Sequence, residues 1–262
     1  MKDRKLTVIT ICFNSADFVS AQADSLYKLS DDKFDYIVFD NGSNINELSK
    51  LLKLKKKYND LKIVISPKVY NQGSLAHGYG LDEAVKFVQT DFFMILDSDC
   101  SLLLKSWDKL LLNKFDESTS VLGVKTTNRE EIPQNRLMIV RKSLFDKLKI
   151  TNMPSFKSGE RIIPLNDTSS DIIRLKKISD FKLLEYKNTR FSKQMSFSNL
   201  KGVEEYYIDN KLLASHFGRG SSLGAAKYSK ILPNFLRKII GYYDKRKWLN
   251  IVDDLITKQL YN

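Results

Sequence analysis

The chain has 262 residues, 42% of them hydrophobic with 15 Phe and 12 Tyr, enough apolar mass for one sizeable α/β domain with an appended segment and too much for a disordered chain. A formal charge of +12 and a pI near 9.4 point to an anionic partner such as a nucleotide, an acidic glycan or an anionic membrane surface, although the lysines are spread over several predicted helices. Two cysteines, Cys12 and Cys100, and no Cys/His grouping of zinc-site spacing exclude a disulfide scaffold or a structural zinc site. A start of MKDRK with no apolar leader, and no apolar run of bilayer length, give the cytoplasm as the expected compartment.

Leu6 to Cys12 is β-branched and uncharged, the pattern of an interior strand, and Asn14 or Ser15 can cap a helix running from about Ala16 toward Lys28. Tyr36 to Phe39 is a second strand that ends in Asp40-Asn41-Gly42-Ser43, before helical spacing over residues 45–58. Asp40 at a strand's carboxyl end can accept hydrogen bonds from a base or ribose, and Gly42 lets the backbone approach a ligand; an Asx turn and a helix cap explain the same residues. Lys62 to Ser66 is the third strand. The loop through Asn71 and Gly73 leads into a helix from about Leu75 to Val88, and its glycines are not spaced as a dinucleotide fingerprint.

The chain's central stretch is Asp91 to Cys100, DFFMILDSDC. Phe92 to Leu96 form a continuous apolar run, as in a parallel strand covered on both faces. Asp97, Ser98 and Asp99 follow at the strand's carboxyl end, where open α/β sheets bind ligands. Two carboxylates one residue apart can share a hard divalent cation, which in turn can hold nucleotide phosphates. The bland alternative is a solvated turn capping a helix predicted over about residues 102–115.

Strands are predicted at Val121–Val124 and Leu137–Val140, then a short helix to about Leu148. The order βαβαβαβαββ predicts a mostly parallel central sheet with helices on both faces. From Ile150 a long polar segment carries Glu160, Asp167 and Asp171, where a general base for a second substrate can sit; Asp167 or Ser170 can equally cap a helix around Ile172. Phe181–Tyr186 and Tyr206–Ile208 are predicted strands of a smaller element. Leu212 to Ser222 joins His216, glycines and Arg219 in what reads as a flexible basic loop, suited to a metal and to phosphate oxygens. The segment 225–262 is predicted helical, broken at Pro233 and Gly241. Its mixture of basic and aromatic residues suits either a helix packed on the domain or contact with an anionic membrane, at the inner face if the chain is cytoplasmic.

Taken together, VITICFNSADFV, IVFDNGS, NQGSLAHGYGLDEA and FFMILDSDC resemble, in order and spacing, the family-two glycosyltransferases with the GT-A fold, over Leu6 to about Val124. The resemblance implies a GT-A domain over residues 1–224, with a nucleotide-binding half to about 125 and an acceptor-binding half after it, and a basic amphipathic tail over 225–262. It implies a nucleotide-diphosphate sugar donor, Mn2+ or Mg2+, and inversion at the anomeric carbon. Asp40 matches the aspartate that takes a hydrogen bond from the base, favouring UDP or dTDP. Asp97 and Asp99 match the D-x-D motif, and His216 the late histidine of the metal or diphosphate site. Asn14, Gly42, Ser43, Asn71, Gly73, Ser98 and Arg219 complete the expected donor-binding set. The general base is expected at Asp167 or Asp171, with Glu160 behind them. The expected acceptor is a glycan or lipid-linked hydroxyl in polysaccharide biosynthesis, and nucleic acid is not an expected partner. The chain departs from the family at Asn41, where a second aspartate is usual, and it lacks the Q-x-x-R-W motif of processive synthases. A sugar nucleotidyltransferase, which should carry a glycine-rich, lysine-bearing loop after its first strand, and a non-catalytic GT-A-like module are the alternatives.

Overall fold

A computed structural model describes residues 5–68, 73–125, 133–154, 168–220, 227–228 and 232–261. Four parallel strands form one side of the sheet: β1 (Leu6–Cys12), β2 (Asp35–Asp40), β3 (Leu61–Ile65) and β4 (Phe92–Leu96). The helices α1 (Ala16–Leu29), α2 (Ile45–Lys57) and α3 (Gly73–Val85) connect them. β1 and β4 are almost wholly buried, as their uninterrupted apolar sequences require when helices cover both faces.

Beyond β4 the sheet changes direction. The remaining strands are β5 (Cys100–Leu102), β6 (Thr119–Lys125), β7 (Pro133–Arg141), β8 (Asp180–Asn188), β9 (Glu204–Ile208) and β10 (Lys211–His216). The spatial order is β3-β2-β1-β4-β7-β6-β8-β9-β10-β5, with β7 antiparallel to β4. Helices α4 (Trp107–Leu112), α5 (Lys142–Lys147) and α6 (Asn234–Tyr261) complete the fold, with a 3-10 turn over Ser170–Lys177.

Three elements differ from the sequence reading. The helix expected from residue 102 begins only at Trp107, because Cys100–Leu102 instead pairs with β10 and Ser106 turns the chain at a φ of 60°. The segment read as a flexible loop from Leu212 is a strand as far as His216, held between β9 and β5. The helix expected to break at Gly241 runs through it, and Gly241 is buried.

Nor is α6 simply amphipathic along its length. Trp248, Val252 and Ile256, four residues apart, form a buried stripe in the main core. The Trp248 ring meets Phe18, Phe197 and Phe217, and its Nε1 donates to Ser215 Oγ at 3.0 Å. Lys245 reaches Asp17 on α1 at 2.7 Å.

Candidate active site

The carboxyl ends of β1, β2 and β4 open into a cavity of about 930 Å³, whose walls include Phe13, Asn41 and Asp97. Its opposite wall comes from the other side of the sheet: Arg136 of β7, Asn188 at the end of β8, Arg190 just after it, Glu204 of β9 and His216 of β10. The site lies where the sheet's direction reverses, the usual ligand position in wound sheets.

Asp97, Ser98 and Asp99 form the turn between β4 and β5, and its backbone is pinned from three sides. Asp97 N donates to Arg136 O, Phe217 N donates to Asp99 O, and Gln22 Nε2 donates to the carbonyls of Asp97 (2.8 Å) and Cys100 (2.7 Å). Gln22 is itself fully buried and locked, because its Oε1 accepts from Thr10 and Tyr36.

Strand register brings the distant histidine to this turn. Cys100 faces His216 across β5 and β10, and His216 faces Glu204 across β10 and β9. His216 Nε2 is therefore 3.2 Å from Asp99 Oδ1 and 3.7 Å from Asp97 Oδ2. Its Nδ1 lies 2.9 Å from Glu204 Oε2. One ligand atom from each of Asp97, Asp99 and His216 lies within 4.8 Å of the others. Two carboxylates and an imidazole nitrogen, with the other ring nitrogen held by a carboxylate, fit a divalent cation such as Mn2+ or Mg2+.

Charge in the cluster is coupled. Burial opposes ionisation of His216, but Asp99 and Glu204 outweigh it and lift its pKa to about 10. Burial would raise Glu204 too, yet the His216 hydrogen bond and the charges of His216 and Arg136 hold it at about 2. Burial, with the Asp99 charge adding to it, pushes Asp97 up, whereas His216 and the Gly220 amide draw Asp99 down against its own burial. Arg136 clamps both oxygens of Glu204 at 2.5 and 2.6 Å, and Tyr206 OH donates to Glu204 at 2.7 Å. His77 approaches Asp97 at 3.8 Å.

The loop after β10 closes on Asp99. Gly220 N donates to Asp99 Oδ2 at 2.8 Å, and a Cβ on Gly220 would lie 2.7 Å from that oxygen. Lys227 lines the cavity and donates to Phe217 O; burial is the main reason its pKa falls to about 8.

Of the expected donor-binding residues, Gly73, Asp97, Ser98 and Arg219 line the cavity. Asp40 is buried behind Asn41, and the Oδ1 atoms of both have no hydrogen-bond partner among the described residues. Asn14, Gly42 and Ser43 sit in adjoining loops instead of the wall: Asn14 N donates to Ser43 Oγ at 2.9 Å, and Gly42 takes a φ of 88°. Asp171 accepts from Thr151 N and pairs with Arg174 at 3.0 Å, and it is not part of the wall. Asn71, Glu160 and Asp167 lie outside the described residues. The sequence reading missed Gln22, Arg136, Arg190, Glu204, Gly220 and Lys227. A signal existed for Glu204, since Glu204-Glu205 opens a strand that is otherwise Tyr-Tyr-Ile, and buried carboxylates there require partners.

The sequence profile described as glycosyl transferase family 2 matches residues 7–173, well over half of the chain. The chain belongs to this family. Among solved structures, this family 2 chain is similar to the mannosyltransferase PcManGT of Pyrobaculum calidifontis, which was solved in complex with GDP-Man and Mn2+. That likeness has 15% identity and a TM-score of 0.53, over 70% of this chain and 55% of the other. Staphylococcus aureus TarS 1-349 in complex with UDP-GlcNAc is similar at 22% identity and a TM-score of 0.45, over 60% of this chain and 50% of the other. Glucosyl-3-phosphoglycerate synthase from Mycobacterium tuberculosis, in complex with phosphoglyceric acid, follows at 16% and 0.43, over 54% and 58%. The fold of the family 2 chain is GT-A. It spans about half the length of these solved proteins. A search of curated proteins gives no match.

Proposed function

We propose that this chain is an inverting glycosyltransferase that moves a sugar from a nucleotide-diphosphate donor to a hydroxyl of a glycan or lipid-linked acceptor. The observation that carries the reading is the Asp97, Asp99 and His216 cluster at the carboxyl edge of the sheet, inside a cavity that also holds Arg136, Arg190, Arg219 and Lys227. Those cations suit a diphosphate. A divalent cation bound by Asp97, Asp99 and His216 supplies positive charge where the leaving diphosphate becomes more negative.

The chain's own residues do the rest. Glu204 holds His216 by Nδ1, leaving Nε2 turned to the carboxylates. An orphan acceptor on Asn41, which lines the cavity, or on Asp40 beside it can take the single ring N–H of uracil or thymine, and we keep UDP or dTDP as the favoured donor nucleotide. The acceptor oxygen bonds to the anomeric carbon as the bond to the diphosphate oxygen breaks, and a carboxylate takes the hydroxyl proton. We propose that this carboxylate is Asp167 or Asp171, with Glu160 behind them; of these Asp171 is among the described residues, where it pairs with Arg174. Cys12 and Cys100, both free and buried, fit a reducing compartment, so we place the reaction on the cytoplasmic side of a polysaccharide pathway.

Thermal unfolding with UDP, dTDP or GDP, each with and without Mn2+, tests the reading. Ligand at about a hundred times its Kd adds roughly 2.7 kcal/mol, a shift of about 5–10 °C for a chain of this size. The expected result is a Mn2+-dependent shift with UDP or dTDP that disappears in Asp99→Ala. Nucleotide binding that is indifferent to Mn2+ and to Asp99 would refute the metal site. Mn2+-dependent binding with no transfer to any hydroxyl acceptor would instead indicate a non-catalytic module.

A further inference from the structure

The outer face of α6 is apolar in a place where it is exposed and unused among the described residues. The buried stripe on this helix begins at Gly241 and continues through Lys245, Trp248, Val252 and Ile256. On the other side of the helix, the first three turns carry a second apolar face, formed by Phe235 (62% exposed), Ile239 (49%), Tyr242, Leu236 and Tyr243 (65%). At 3.6 residues per turn these side chains share one arc, pointing nearly opposite to Trp248 and Val252.

The charge around the arc has one sign. No acidic residue occurs between Leu232 and Tyr243, and Arg237 and Lys238 lie within that stretch. Exposed Arg246 and Lys247 follow one turn after Tyr242 and Tyr243 on the same side of the helix. Farther along, the outer face becomes polar and includes exposed Asp253 and Asp254. The apolar arc is therefore local, with aromatic hydroxyls and lysine and arginine stems at its border, the composition that lies at the boundary of lipid headgroups and acyl chains.

We propose that the first three turns of α6 dock on an anionic lipid surface, with Phe235, Leu236 and Ile239 entering the acyl boundary and Lys238, Arg246 and Lys247 meeting headgroup phosphates. The docked face lies close to the cavity: Tyr228 OH bonds Asp244 on the next turn of α6, and its neighbour Lys227 lines the cavity wall. A lipid surface here would lie beside the proposed transfer site. The docking itself rests on the helix face alone and does not require sugar transfer. Among the described residues no helix is long and apolar enough to cross a membrane, so the contact is one of lying on the surface.

The test is flotation of the whole chain with vesicles of phosphatidylcholine, alone or mixed with phosphatidylglycerol. The chain should float with the mixed vesicles, and Lys238→Ala and Lys247→Ala should each lower the partition about fivefold. Because a basic protein can adhere to such vesicles through charge alone, the deciding variant is Phe235→Gln with Ile239→Gln, which removes the apolar side chains without changing the net charge. It should lose flotation while keeping the parent's melting temperature and its nucleotide binding, since both side chains are exposed and neither lines the cavity. Flotation unchanged in this double variant, or no flotation of the parent, overturns the proposal. A parent that fails to float but sediments as a dimer, which the double variant dissociates, assigns the arc to contact between two copies of the chain.

Discussion

Gly220→Ala tests whether the loop after β10 fixes Asp99, the proposed metal carboxylate. A Cβ at Gly220 would stand 2.7 Å from Asp99 Oδ2, 2.9 Å from its Cβ and 3.0 Å from its Cγ, whereas ordinary contact begins at 3.4 Å. Asp99 must therefore move by about 0.7 Å at its oxygen, beyond the ~0.5 Å within which a binding constellation keeps its geometry. It has little freedom to do so cheaply, because Gly220 N holds Oδ2 and Phe217 N holds its carbonyl. The expected stability loss is that of local overpacking, about 1–3 kcal/mol. The expected loss of Mn2+ affinity is about 10–100-fold, the scale of a displaced support around a metal. Calorimetric titration of Mn2+ measures the affinity, and urea unfolding without metal measures the stability. Mn2+ affinity within about twofold of the parent would refute the reasoning, since it would mean that Asp99 is either free to adapt or not a ligand.

Three other outcomes are expected. His216 is protonated in the metal-free protein below about pH 10 and must be neutral to bind a cation, so Mn2+ binding at pH 8 releases about one proton, and affinity rises with pH up to that value; calorimetry in buffers of different ionisation enthalpy should show the release, and His216→Gln should abolish it. Glu204→Gln leaves Arg136 and Tyr206 competing with His216 for one oxygen, so Mn2+ affinity should fall about 10–100-fold while metal-free nucleotide binding, read by fluorescence, stays unchanged. Trp248→Ala empties a fully buried site between three aromatic rings and should cost about 3–5 kcal/mol in urea unfolding; a loss below about 1 kcal/mol would show that α6 is a detachable tail.

The parallel half of the sheet was legible because each strand is a local pattern. Leu6–Cys12 and Phe92–Leu96 are apolar without interruption, and a strand covered on both faces needs nothing more to announce itself. The turn bearing Asp97 and Asp99 could be located for the same reason. What followed it could not, because Cys100–Leu102 is a strand of three residues with no periodicity to read, and its leucines equally suit a helix. Its identity depends on β10, more than a hundred residues away. The same pairing decided His216, which lies among glycines and serines that read as loop, yet ends a strand because β5 and β9 flank it.

That short pairing explains why the site is assembled from such distant parts. The register setting Cys100 against His216 places the imidazole beside Asp99, and the next register step sets Glu204 behind the imidazole. A slip of one residue in either pairing would turn His216 to the opposite face and remove the nitrogen from the carboxylates. The register is itself guarded at both ends: Phe217 N bonds Asp99 O just beyond the pairing, and Leu103 N bonds Leu213 O before it. Trp248 adds a third restraint, because its Nε1 holds Ser215, the residue next to the histidine. The packed half of α6 thus supports His216, the proposed metal ligand, from outside the cavity, which gives the helix a role in the site that its basic and aromatic composition does not disclose.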